Sequence, residues 1–429
     1  MHSVMRGRFT TTFLFVAGLA HAAPLTLTQA VDEARTHGFD LRTAQLAVEQ
    51  ARGDRLAAGA LANPTLSIGA GPSLGCYGPG CRAGSPTLTA SVSEQGALWQ
   101  LLVGKRGLKL DAAQAGVDSA EAQQADSRRQ LDSLVKQQFV AAITAERAIE
   151  FSEQVRDSTA QTAALIRERY KAGAVDEADV SRVETQRFEA EQALDASRQN
   201  ADQQRSLLAF LLGRESGAKD LTLEAGVYTR PAASPELDHA TLTELITRAL
   251  EHRADVRAQE ALVKQAEATV ASLERQRVPD VALGATFAQQ GLSPDFSSPP
   301  NVVVSLSLPI PIAYQLQGEL ARARATVQAQ KVALEKTRAQ VRTDVESAWA
   351  AFQAARLQSR RMDDNLLRQA DRARTLVSVQ YDKGAASLIE FLDAQRTFVA
   401  INVESLQVVQ AWWTAIFRLE AATGQEFSP

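Results

Sequence analysis

Cysteine is nearly absent from this chain: of 429 residues only Cys76 and Cys81 carry a thiol, and they bracket a Gly-Pro turn in GCYGPGC. Without a His beside them two thiols leave a metal's coordination shell incomplete, so a small disulfide-stapled loop is the favoured reading. Histidine is equally sparse, and His37, His239 and His252 are not spaced with a second pair of ligands. No Walker or H-E-x-x-H pattern occurs, so neither catalysis, a cofactor nor a metal centre is expected. Charge of one sign is missing too. With 46 basic against 50 acidic residues the net charge of -4 gives no pull toward nucleic acid. Aromatics make up 6% of the chain. Past the N-terminal segment there is no run of about 18 apolar residues, which excludes a transmembrane helix. A membrane crossing would have to use strands.

The N-terminal segment has Arg6 and Arg8 ahead of an apolar run from Phe13 to Ala20, then Ala20-His21-Ala22. This predicts a secretory signal peptide over 1–22, cut after Ala22, with no Cys nearby to carry a lipid. The mature chain therefore works beyond the inner membrane.

Proline is scarce where it matters. The 14 prolines leave 87–230 and 312–428 empty, and because proline breaks a helix interior these gaps are where long helices can run. Leu131, Val135, Phe139 and Ala142, and again Val341, Val345, Ala348, Phe352 and Ala355, recur in steps of three and four. That is the stripe of helices packing on helices. A continuous helix from about Lys105 to Tyr170 would be roughly 100 Å long, far more than a globular core needs.

The proline-rich islands alternate apolar with small polar residues, predicting strands over 65–73, 86–93, 281–288 and 301–309. Leu66, Ile68 and Ala70 would share a face with Leu88, Ala90 and Val92, and Val302, Val304, Leu306 and Leu308 form a second such row. The order of elements is duplicated. Tyr170-Lys171-Ala172-Gly173 answers Tyr381-Asp382-Lys383-Gly384, His37 answers His252, Asp40 answers Asp255, Arg42 answers Arg257 and Pro64 answers Pro279. The first unit runs 23–230, the linker 231–239 and the second unit 240–429. Gly173 and Gly384 are where two long helices reverse.

The signal segment, the duplicated helix-strand-strand-helix unit, the YKAG and YDKG turns, the FLDAQRT at 391–397 and the LLGRE at 211–215 resemble the TolC family of outer-membrane efflux proteins. That resemblance implies a mainly α fold with a small β part. As a homotrimer it would close a twelve-stranded barrel in outer-membrane lipid of a Gram-negative bacterium and continue as a helical tunnel across the periplasm. The implied partners are a periplasmic adaptor (a membrane fusion protein) and an inner-membrane transporter of the resistance-nodulation-division class. In such proteins acidic residues after the second turn ring the aperture, here Glu390 and Asp393. A Tyr-to-Asp latch maps onto Tyr381 and Asp179, although the Arg that often accompanies it is replaced by Ala386. The tip turns, with Gly173, Ala174, Val175, Gly384, Ala385 and Ser387, would dock the adaptor. Modest length and the missing lipid-attachment Cys look more like the heavy-metal branch typified by CzcC, while drug efflux and protein secretion channels share the plan. From another class, a periplasmic coiled-coil adaptor or scaffold would be equally Ala-rich but needs no duplicated strand pairs.

Overall fold

The computed structural model describes residues 24–72, 86–214, 216, 221–224, 237, 239–290, 300–362 and 364–427. The signal segment, the Cys76–Cys81 loop and most of the linker lie outside the described residues.

Each unit begins with a short capped helix. In α1 (Leu27–His37) the Thr26 hydroxyl accepts from the Gln29 N–H at 3.1 Å while the Gln29 side chain accepts from the Thr26 N–H at 3.0 Å, satisfying two donors that a helix start otherwise leaves unpaired. After α2 (Phe39–Gly59), β1 (Thr65–Pro72) and β2 (Pro86–Glu94) come a short α3 (Ala97–Leu102), α4 (Lys105–Lys171) and α5 (Glu177–Leu211). The second unit repeats this order with α6 (Leu242–His252), α7 (Ala254–Gln276), β3 (Ala282–Gln290), β4 (Asn301–Ser307), α8 (Gln317–Arg361), α9 (Asp364–Asp382) and α10 (Leu388–Thr423). Thr241 and Glu244 cap α6 just as Thr26 and Gln29 cap α1.

The units differ in their longest helix. α4 runs unbroken for 67 residues, about 100 Å at about 1.5 Å per residue. Its counterpart is divided: α8 stops at Arg361 with the Met362 N–H closing on Gln358, and α9 starts at Asp364. Neither proline nor glycine marks this break in the sequence.

The helical stripes are buried as their spacing predicts. Val135, Phe139 and Ala142 are fully inaccessible and pack with Leu208, Leu212, Ala30 and Ala34, while Val341, Val345 and Phe352 pack with Trp412, Trp413, Phe417 and Leu245. Burying each such large side chain contributes about 1.5–3 kcal/mol. Between α6 and α7 sits Arg253, 4% exposed, its guanidinium 2.6 Å from Asp255 Oδ2 and 3.0 Å from Asp344 Oδ2 and donating to the Ala422 carbonyl at 3.2 Å. Burial pushes the Asp255 carboxyl up, but the hydrogen bond and charge of Arg253 outweigh it and hold Asp255 below the usual carboxylate range. One cation thus clasps α7, α8 and the end of α10.

The sheet has the order β1-β2-β3-β4, antiparallel throughout. Leu66 lies opposite Val92, Ile68 opposite Ala90 and Ala70 opposite Leu88, the partners that alternation had suggested. The two units meet in its middle, where Val92 faces Ala285 and Ala90 faces Phe287, and β3 sets Ala285 opposite Val304.

Candidate functional site: the two-faced sheet and the tip turns

Because side chains alternate across a strand, this register sorts the sheet into two faces. Leu66, Ile68, Leu88, Val92, Leu283, Phe287, Val302, Val304 and Leu306 share one of them, and all are exposed, Val304 at 77%. The other carries Thr65, Ser67, Thr89, Ser91, Ser93, Thr286, Ser305 and Ser307 with glycines between them and Val303 as its one exposed large apolar residue, and the Thr65 and Ser93 hydroxyls lie 2.6 Å apart. Among the described residues β1 and β4 each keep one edge unpaired. An apolar face this open, bounded by free backbone edges, needs both a non-aqueous surroundings and more strands.

At the opposite end of the long helices the two turns are built alike. Gly173 and Gly384 have φ of +73° and +74°, and no atom would obstruct a side chain at either, so the left-handed backbone alone requires glycine. In each turn the glycine N–H returns to the tyrosine carbonyl three residues earlier and the next N–H reaches one residue further back, closing at 2.9 Å for Ala174 and 2.8 Å for Ala385. Asp176 then caps α5, and Ser387 caps α10. Beneath the turns Ala163, Ile166, Val183, Leu388 and Leu392 form a small core that joins the two hairpins. Gly173, Ala174, Gly384, Ala385 and Ser387 are exposed, whereas Val175, expected at the docking surface, is half-buried against this core.

The acidic pair is divided in role. The Glu390 carboxylate accepts from the Ser387 N–H at 2.7 Å and from its hydroxyl at 2.9 Å, and the backbone hydrogen bond, then the hydroxyl, hold its pKa below the usual range. The string Ser-Leu-Ile-Glu at 387–390 carries that capping box in the sequence. Asp393, one turn on, is exposed.

The structure does not make the Tyr381–Asp179 bond. Asp179 pairs with Arg182 one turn away at 3.1 Å, while the Tyr381 ring stacks on Phe391 with centroids 5.3 Å apart and lies under Arg169. Its hydroxyl is buried with no partner. Arg182 three residues after Asp179 was the sequence signal for this competition. Tyr381→Phe is therefore expected to leave permeability to large antibiotics unchanged; faster entry would show that the latch forms only on assembly.

Long helices folded into hairpins, carrying a small sheet with one lipid-compatible face, define a subunit of an outer-membrane channel. The chain belongs to the outer membrane efflux protein family, the TolC-like outer-membrane factors, whose pattern matches residues 30–214 and 245–425. It is similar to the cobalt-zinc-cadmium resistance protein CzcC of Cupriavidus metallidurans, 24% identical over 94% of this chain and 91% of that one. Nodulation protein T of Rhizobium leguminosarum bv. trifolii is also 24% identical, over 94% and 86%. The fold matches the Campylobacter jejuni CmeC outer membrane channel with a TM-score of 0.77 at 17% identity, over 94% of this chain and 86% of that one. The protein thus resides in the outer membrane, its long helices extending into the periplasm.

Proposed function

We propose that three copies of this chain close their sheets edge to edge into one twelve-stranded barrel and form the exit duct of a tripartite efflux system. The observation that carries this reading is the sheet itself: among the described residues it has four strands, two free edges and an apolar face with no partner. Four strands are too few to close alone, since about eight are needed for the smallest membrane barrels. The Thr, Ser and Gly face then lines the lumen and the Leu, Ile and Val face meets lipid.

At the tips, Asp393 and the cap-held Glu390 of each copy ring the aperture and favour cations. Ala174, Ala385 and Ser387, small and exposed, offer grooves to the helical hairpin of a periplasmic adaptor, with an inner-membrane transporter of the resistance-nodulation-division class supplying the energy. The cargo is a heavy-metal or other divalent cation, a reading supported by the likeness to CzcC. Deleting the gene is expected to sensitise cells to cobalt, zinc and cadmium salts while growth in bile salts, dyes and antibiotics is unaltered. Sensitivity confined to the organic compounds would assign the channel to drug efflux instead, and no change in either would favour a secretion role.

A further inference from the structure

We propose that the segment from Leu308 to Tyr314, together with α3, forms an apolar collar that seats in the phospholipid headgroup interface at the periplasmic end of the barrel. This rests on the barrel reading above. The ladder of β4 ends at Ser307, but exposed apolar residues continue past it: Val302, Val304 and Leu306 are followed at every second position by Leu308, Ile310 and Ile312, the last 88% exposed, with the Ile312 N–H closing a tight turn on the Ile310 carbonyl. The intervening positions are Pro309 and Pro311. A chain leaving its ladder near lipid must satisfy each free N–H, and proline has none to satisfy. Of the carbonyls, that of Ile310 accepts from the Ile312 N–H and that of Pro311 from the Gln315 side chain; the others require water or headgroups, which places the segment in the interface rather than in hydrocarbon.

α3 does for the first unit what this strap does for the second. It follows β2 directly, buries Ala97 and leaves Leu98, Leu101 and Leu102 exposed, Leu102 at 79%. The connection between α7 and β3 ties α3 and the flanks of both pieces together: Gln100 Nε2 of α3 donates to Asp280 Oδ2 at 3.3 Å, Lys105 Nζ at the start of α4 to Asp280 Oδ1 at 2.8 Å, and Arg277 Nη2 to Oε1 of Gln315, the residue after the strap, at 2.8 Å. The Tyr314 hydroxyl donates to Glu319 and accepts from the Gly318 N–H, so its polar end is satisfied while its ring stays exposed. Aromatic rings of that amphipathic kind are enriched at the headgroup level. Continuity with the sheet's lipid-facing row argues for lipid as the occupant over a neighbouring copy.

The test uses the full chain with Cys76→Ser and Cys81→Ser, reconstituted in phosphatidylethanolamine and phosphatidylglycerol vesicles and labelled with bimane at Ile312→Cys or Leu102→Cys. Lipids brominated near the headgroup are expected to quench both sites several-fold more strongly than aqueous iodide does, with the reverse at Asp54→Cys on exposed α2. Iodide quenching equal to that at Asp54→Cys would overturn the collar, and so would silence to both quenchers, which would mean that a neighbouring copy covers it. Val304→Cys with mid-chain brominated lipid separates the two readings: quenching there while Ile312→Cys fails sinks only the collar, whereas no quenching at Val304→Cys sinks the barrel.

Discussion

Val304→Arg is expected to abolish recovery of the channel from the outer membrane, while Ser305→Arg, one residue on, leaves it assembled. Val304 lies in the centre of β4 opposite Ala285, on the face where each neighbour is apolar and exposed, whereas Ser305 lies opposite Gly284 on the hydroxyl-bearing face. An arginine turned to lipid at the bilayer midplane costs about 2–4 kcal/mol, and every copy in an assembly carries it. On the face proposed to line the lumen the same arginine stays hydrated. Density-gradient fractions and heat-modifiable mobility on gels would report the difference. The opposite ranking would turn the sheet inside out and reassign its polar face to lipid.

The second large effect is expected at the other structural level, from Arg253→Met. Removing one member of a buried ion pair typically costs about 3–5 kcal/mol, because the partner charge is left without compensation. Here Asp255, Asp344 and the Ala422 carbonyl would all lose the same donor. Thermal unfolding followed by helical dichroism in detergent should show a markedly lower midpoint, partly restored when Asp255→Asn and Asp344→Asn are added. The pH dependence has a definite sign. Asp255 is held below its ordinary pKa in the folded chain, so its contribution is complete above about pH 4, where the unfolded carboxylate is ionised, and is lost as pH falls through the lower folded value. An unchanged midpoint in Arg253→Met would show that the clasp carries no stability.

The parts of this architecture visible in the sequence are those that depend on neighbours along the chain. The stripes at Leu131 to Ala142 and at Val341 to Ala355 are periodic because each helix presents one side to its neighbours, and all nine residues are buried. Strand pairing was legible for the same reason: alternation at Leu66 and Ile68 leaves Val92 and Ala90 as the partners that keep apolar residues on one side. Contacts between distant segments were not. Asp255 could be matched to Asp40 as a repeat mate, but nothing local says that Arg253 reaches Asp344 as well. The interruption at Met362 escaped notice because the charged run around it suits a continuous helix as well as a broken one. At the tips, the family pattern pointed to Tyr381 and Asp179, whereas in this chain Asp179 pairs with Arg182 and the Tyr381 ring lies under Arg169.

The free edges of β1 and β4 also matter before the protein has begun to transport anything. A newly exported copy carries two rows of unsatisfied backbone groups and a lipid-adapted face through an aqueous compartment, where any strand will pair with them. Correct assembly and clumping compete for the same surface. The time between export and insertion is therefore the most hazardous interval in the life of this chain, and a mutation that slows folding of the long helices would be felt first as lost yield, with the finished channels conducting normally.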